Sequence, residues 1–184
     1  MNTAPASVTI PGYRAGTWTA DPVRCEIAFS IRQLMASTVR ARFTSYDVTI
    51  VTGEDPLGSS VVATIDLASV DTGNQKRDDH LRSATFLEVD KYPTVSYRST
   101  GIGHTGDGWI VDGELSVHGI TRQVPLAVAV NGFGPGPNGG RRAGFSATAQ
   151  INRGDFGIDR WTGGGAVVSD KVSISLEIEA VLQT

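Results

Sequence analysis

The chain reads as an all-β protein, on three observations. From Val172 to Leu182 every even position is apolar, alternating with polar residues as far as Glu179. Comparable stretches recur along most of the chain, and segments rich in glycine and proline separate them. A period of two sends one side of each strand toward an apolar interior and the other toward water. Its repetition predicts a curled antiparallel sheet with one apolar face, which must pack on a second layer or close on itself as a barrel.

Taken in order, residues 1 to about 14 are rich in Pro, Ser and Thr and read as a flexible arm ahead of one domain over 15–184. A short strand from Gly16 to Asp21 carries Trp18. After Pro22, the residues Cys25, Ile27, Phe29 and Ile31 share one parity and mark the inward face of the next strand. A turn or short helix is expected near Gln33 to Ala36. From Thr38 to Thr52, Val39, Ala41 and Phe43 hold one parity but Tyr46, Val48 and Ile50 hold the other. That slip predicts a bulge or sharp bend near Thr44-Ser45. Asp55-Pro56-Leu57-Gly58 reads as a turn, and Val61, Ala63, Ile65 and Leu67 as the following strand.

The alternation then breaks. Asn74 to Asp90 has helical character, with Asp78-Asp79 early and Arg82 late, as the helix dipole prefers. Asp78 and Arg82 are spaced as an i,i+4 pair. Leu81, Phe86 and Leu87 would anchor this helix on the sheet, where it would cap one end of a barrel. Strands resume at Thr94 to Ile102, Trp109 to His118 and Val124 to Val130. Gly132 to Gly140 reads as a hairpin tip, and Ala143 to Ile151 and Val172 to Leu182 are the last two strands. The segment between those two is too long for a tight hairpin and reads as a rim loop.

Composition removes several classes of function. The formal net charge is −3 and the 16 Lys and Arg are dispersed, so nucleic acid is not an expected partner. Cys25 is the single cysteine, which leaves no intrachain disulfide or multi-cysteine metal cluster. Its parity with Ile27 and Phe29 reads as an inert buried thiol. The opening residues lack the basic and apolar regions of a signal peptide, and no apolar run is long enough for a membrane span. A cytoplasmic protein is therefore expected.

The polar residues give weak grounds for chemistry. The 3 histidines have no metal-ligand spacing, so no metal or other cofactor is expected. His80 and His118 read as structural hydrogen-bonding groups and His104 as exposed. Arg77-Asp78-Asp79-His80 has acid and base groups together, yet no Gly-x-Ser-x-Gly elbow accompanies it. Asn152-Arg153-x-Asp155 places a guanidinium beside a carboxylate, an arrangement that locks a loop more often than it contacts ligand. Trp109 shares parity with Val111, Leu115 and Val117 and is expected to face inward. Trp18 reads as channel wall or core, and Trp161, amid glycines, as a lid.

Several motifs occur in one order: Trp18-x-x-Asp21, Phe29-x-Ile31-Arg32, Arg77-Asp78-x-His80-Leu81-Arg82-Ser83 with Phe86-Leu87, and Tyr92-Pro93. Gly113-x-Leu115-x-Val117-His118-Gly119-Ile120-Thr121-Arg122, Asn152-Arg153-x-Asp155-Phe156-Gly157 and Ser169-Asp170-x-Val172 follow. Together they make the chain resemble the YceI-like family of lipid-binding proteins from about Gly16 to Leu182. The resemblance implies an extended antiparallel lipocalin-like β-barrel of about eight strands with a short helix between strands. It also implies a long polyisoprenoid or related amphiphile as ligand, and a possible homodimer. Arg24-Cys25 stand where the family usually carries His-Ser, and Gln33 where it carries His, so polar contacts at one end of the channel are expected to differ.

On this reading the protein binds, sequesters or transports an isoprenoid-like lipid and performs no chemistry on it. Each buried methylene contributes about 0.8 kcal/mol, so a few isoprene units suffice without a charged anchor. The expected apolar lining is Ile27, Phe29, Ile31, Phe43, Ile65, Leu67, Leu81, Phe86, Tyr97, Trp109, Leu115, Phe145, Phe156 and Ile174. The expected polar rim is Arg77, Asp78, His80, His118, Asn152, Arg153 and Asp155. Two rivals remain: an enzyme acting on a hydrophobic quinone or isoprenoid through His80, Asp78 and Arg153, and a stress-linked scaffold whose barrel is completely filled.

Overall fold

The structure, a computed structural model, describes residues 9–33, 38–106, 108–158 and 168–184. Its strands are β1 (Gly16–Ala20), β2 (Glu26–Gln33), β3 (Thr38–Phe43), β4 (Tyr46–Thr52), β5 (Ser60–Asp66) and β6 (Val70–Asp71). After the helix α1 (Gln75–Arg82) come β7 (Thr94–Thr105), β8 (Gly108–Val117), β9 (Ile120–Gln123), β10 (Leu126–Pro135), β11 (Arg141–Asn152) and β12 (Val168–Leu182). Neighbours run β1-β4-β5-β7-β8-β10-β11-β12, and β12 pairs back to β1. The result is a closed antiparallel barrel of eight strands with four additional ones, β2, β3, β6 and β9.

The long strand β12 explains the additional ones. Its C-terminal part pairs with β1, as in Trp18↔Leu182, while its N-terminal part pairs with β2, as in Ile31↔Val172. A 3-10 turn at Pro22–Arg24 separates β1 from β2, so one strand edge serves two partners in succession. Asp21 caps this turn by accepting from the Val23 amide. The parity slip at Thr44-Ser45 is the matching break: β3 pairs with β2, whereas β4 pairs with β1 and β5. A corner, rather than a bulge within one strand, therefore separates the two inward sets.

The helix is shorter than the sequence pattern suggests. α1 begins behind Asn74, whose side chain accepts from the Arg77 amide, and ends at Arg82. Phe86 and Leu87 follow in turns, where they pack with Leu81, Leu67 and Val70. Asp78 does not pair with Arg82. Its carboxylate accepts from the Thr72 amide and hydroxyl at 2.8 and 2.6 Å, and Arg82 instead reaches Asp79 at 3.2 Å. The guanidinium of Arg82 also donates to the carbonyls of Ala68 and Val70, which fastens the helix to the chain leading into it.

The hairpin after β10 is tighter than expected, because β10 runs on to Pro135 and only Gly136–Gly140 turn. Between the strands expected at Trp109 to His118 and Val124 to Val130, Ile120–Gln123 forms a further strand, β9, paired with β8. Within the segment read as an arm, residues 9–14 are tied to the barrel: the Tyr13 hydroxyl donates to the Gly53 carbonyl at 2.6 Å. Among the described residues, no helix is long and apolar enough to cross a membrane.

Buried side chains gather in two clusters. One centres on Leu67, Val70, Leu81, Phe86, Leu115, Phe156 and Val172, near α1. The other holds Trp18, Ile27, Val48, Ala143, Ile178 and Ala180. Phe43, Val61, Ala63 and Leu176 pack against both yet are only partly buried. Inward residues that keep exposed surface border empty space, which is where the cavity lies.

Candidate functional site

Between the two clusters lies an apolar cavity that offers about 270 Å³ to the centres of water molecules. Every strand of the closed barrel except β1 contributes to its lining, as does β2, because the inward parities of these strands converge there. Of the apolar residues picked out from the sequence, Ile27, Phe29 and Ile31 on β2, Phe43 on β3, and Ile65 on β5 border it. So do Tyr97, Trp109, Leu115, Phe145 and Ile174 on β7, β8, β11 and β12, and Leu67, Phe86 and Phe156 from turns. Leu81 does not. It is buried on α1, packed in the cluster with Leu67, Val70 and Phe86.

Tyr97 shows how the wall is made locally. Its ring crosses over Gly113 on the neighbouring strand, a position where any Cβ would collide with the ring. The hydroxyl then donates to the Val124 carbonyl at 2.8 Å, where the chain leaves β9 for β10. Burial, followed by the nearby Asp112 charge, pushes this phenol up to about 12. It is neutral at any physiological pH and acts as wall rather than as acid.

Of the expected polar rim, only Arg153 lines the cavity, and it is the only charged side chain that does so among the described residues. It is 8% exposed. Its Nη1 donates to the Ile158 carbonyl at 2.9 Å, its Nε to the Ser169 carbonyl at 3.2 Å, and its Nη2 to Asp170 at 3.0 Å. The ion-pair partner is therefore Asp170, not Asp155. Asn152 instead caps the 3-10 turn by accepting from the Gly154 amide, and Asp155 offers its backbone carbonyl to Arg122. The guanidinium locks the end of β11 to the start of β12.

The remaining rim residues sit elsewhere. Arg77 and Asp78 both grip Thr72, and His80 shares their helix without bordering the cavity. His118 lies in the turn between β8 and β9, its Nε2 3.4 Å from Glu88 and its ring 4.6 Å from that of Tyr92. Among Asp78, His80 and Arg153, only Arg153 borders the lumen. No group of three or more His, Cys, Asp or Glu suited to a metal occurs among the described residues. Cys25 is half-buried, its thiol raised by burial and donating to the Glu179 carbonyl at 3.3 Å.

The lining also extends beyond the expected set. Val111, Val117, Val128, Leu176 and Ile178 border the cavity, each in keeping with the parity of its own strand. Ile10, Tyr13 and Phe133 also border it, and parity does not reveal them. The one local hint is Pro11-Gly12 between two large apolar side chains, a pairing typical of a specific turn. Trp18 is core: it is fully buried, bonds Thr52 at 2.9 Å, and does not line the cavity. His104 stacks on the edge of Trp109 with ring centres 4.5 Å apart. Trp161 and the glycines around it lie outside the described residues.

The YceI-like domain profile matches residues 18–180, all but the first and last two residues of the barrel. This chain belongs to the YceI-like family. Proteins named YceI from Escherichia coli and Shigella flexneri are 37% identical to it over 158 residues, spanning 85% of this chain and 81% of theirs. The family fold is equally visible in solved structures. Burkholderia cenocepacia BcnA superposes with a TM-score of 0.77 at 21% identity, over 87% of this chain and 98% of its own. A polyisoprenoid binding domain from Saccharophagus degradans gives 0.71 at 15% identity, over 92% and 100%. At such identities the superpositions establish the barrel, and the YceI-like assignment rests on the sequence matches.

Proposed function

We propose that this YceI-like barrel binds and carries a long-chain isoprenoid-like amphiphile and performs no chemistry on it. The observation that carries the reading is the cavity: an interior mainly of aliphatic and aromatic side chains whose one charged lining residue among the described residues, Arg153, is already engaged by protein groups. A site of this kind gains affinity from apolar surface removed from water, at about 25 cal/mol per Å², and needs few polar contacts. The Saccharophagus degradans protein of the same fold, described as a polyisoprenoid binding domain, supports the choice of ligand class. A completely filled barrel is not what these residues build.

The test is organic extraction and mass spectrometry of the purified protein, followed by titration with added polyprenols. Expected is stoichiometric uptake by the native chain. Ala147, a small buried residue on the wall, provides the matching variant: Ala147→Trp fills the lumen and should abolish uptake while leaving the circular dichroism of the barrel intact. Uptake unaffected by the filled lumen, or no uptake by the native chain, would refute the proposal.

A further inference from the structure

The segment Ile10 to Tyr13 lies across one mouth of the barrel. Tyr13 donates its amide to the Ile10 carbonyl at 3.1 Å, closing a four-residue turn. Pro11 and Gly12 occupy its centre, and Gly12 has φ 77°, the combination of a type II turn. Gly12 rests directly on the Phe133 carbonyl, so that a Cβ there would collide with it.

Three consecutive residues of this segment are tied down by side chain to backbone bonds. Arg141 donates to the Gly12 carbonyl at 2.6 Å, Tyr13 donates to Gly53 at 2.6 Å, and the Thr52 hydroxyl donates to the Arg14 carbonyl at 2.8 Å. The anchors lie on opposite walls. Phe133 is on β10 and Gly53 directly follows β4, and those two strands are four pairings apart in either direction around the closed barrel. The turn and the Tyr13 side chain together therefore bridge opposite sides of the mouth.

The Tyr13 ring is part of an aromatic stack. Its centre is 5.2 Å from that of Phe133, which in turn meets Trp18 at 5.4 Å and Phe145 at 5.8 Å. Ile10, Tyr13, Phe133 and Phe145 all border the cavity. The Tyr13 hydroxyl is bonded away at Gly53, so what the ring offers the lumen is carbon surface. Such a surface meets the hydrocarbon end of a ligand, not its head.

We infer that Tyr13, held by the turn and backed by Phe133, is the stop that fixes the longest isoprenoid tail the barrel accepts. This deepens the proposed carrier function and rests on it. A tail short enough to end at the ring is wholly removed from water. A longer one must leave units outside the cavity or displace the turn, breaking the bonds at Gly12, Tyr13 and Arg14.

The experiment uses the full chain, stripped of lipid and offered an equimolar series of all-trans polyprenols from farnesol to solanesol, with the bound fraction read by mass spectrometry. The native chain should show a sharp upper limit of length. Tyr13→Ala should move that limit to longer members, enriching them over the native selection on the order of tenfold, the effect of gaining burial for about two further methylenes. Gly12→Val, which cannot keep the turn seated on Phe133, should shift the limit in the same direction. Leu57→Ser, on the exposed tip of the adjacent hairpin, should leave it in place. An unchanged limit in both Tyr13→Ala and Gly12→Val, with thermal midpoints showing folded barrels, would overturn the stop and leave the carrier reading standing. A native chain that takes up none of the series would overturn both.

Discussion

Where Trp18, Phe133 and Phe145 meet, beneath the turn that carries Tyr13, the barrel is filled by rings projecting from its own strands, whereas the opposite end is built from chain that leaves the sheet: α1, the turns around Phe86, and the 3-10 turn carrying Arg153. The first end needs strands far apart in sequence to be in register before any ring finds its neighbour. The second is assembled from local caps, with Asn74, Asp78 and Asn152 each satisfying nearby amides. An end built by packing should respond to lost volume. An end built by capping should respond to lost hydrogen bonds, and over a smaller part of the molecule.

The largest effect is expected at the packed end. Trp18→Ala removes a fully buried indole and its bond to Thr52, and should cost about 3–5 kcal/mol in urea unfolding. A cost under about 1 kcal/mol would mean that this end is not held by its rings. At the other end, Arg153→Ala deprives the carbonyls of Ile158 and Ser169 of a donor, with an expected cost of about 2–3 kcal/mol. Hydrogen exchange should then accelerate around 153–158 while the amides of β1 and β4 keep their protection. Uniform acceleration would erase the distinction between the two ends.

Smaller still is Asp78→Ala, which frees the Thr72 amide and should cost about 1–2 kcal/mol, with loosening confined to α1. The smallest effect concerns the wall joining the ends. Asp21, at the break between β1 and β2, is held below the ordinary carboxylate value of 3.8 by the Arg142 guanidinium and then by the Val23 amide. A depressed carboxylate lends stability that is complete above its unfolded-state value and is lost as pH falls through the lower folded-state value. Acid titration of Asp21→Asn should therefore show a shallower decline below about pH 4 than the native chain. Identical acid limbs would remove Asp21 from the account of that junction.

Much of this was legible in the residues. Ile27, Phe29 and Ile31 declare their face within one strand, as do Trp109, Val111, Leu115 and Val117, and all of them reach the cavity. The slip at Thr44-Ser45 was visible too, but whether it meant a bulge or a corner depended on what each half pairs with. The partner of Arg153 was not legible: Asp155 is nearer in sequence, yet Asp170 on the returning strand is nearer in space. Tyr13 was hidden for the same reason, since its hydroxyl bond spans 40 residues and its ring contact with Phe133 spans many more.

Alternation alone, then, determined that the chain is all-β with one apolar face, because side-chain direction in a strand follows from backbone geometry residue by residue. The tertiary structure decided whether those faces meet or leave room between them. Strand number, the break that lets β12 serve both β1 and β2, and rings meeting across the mouth are relations among distant segments, and the size of the space depends on all of them at once.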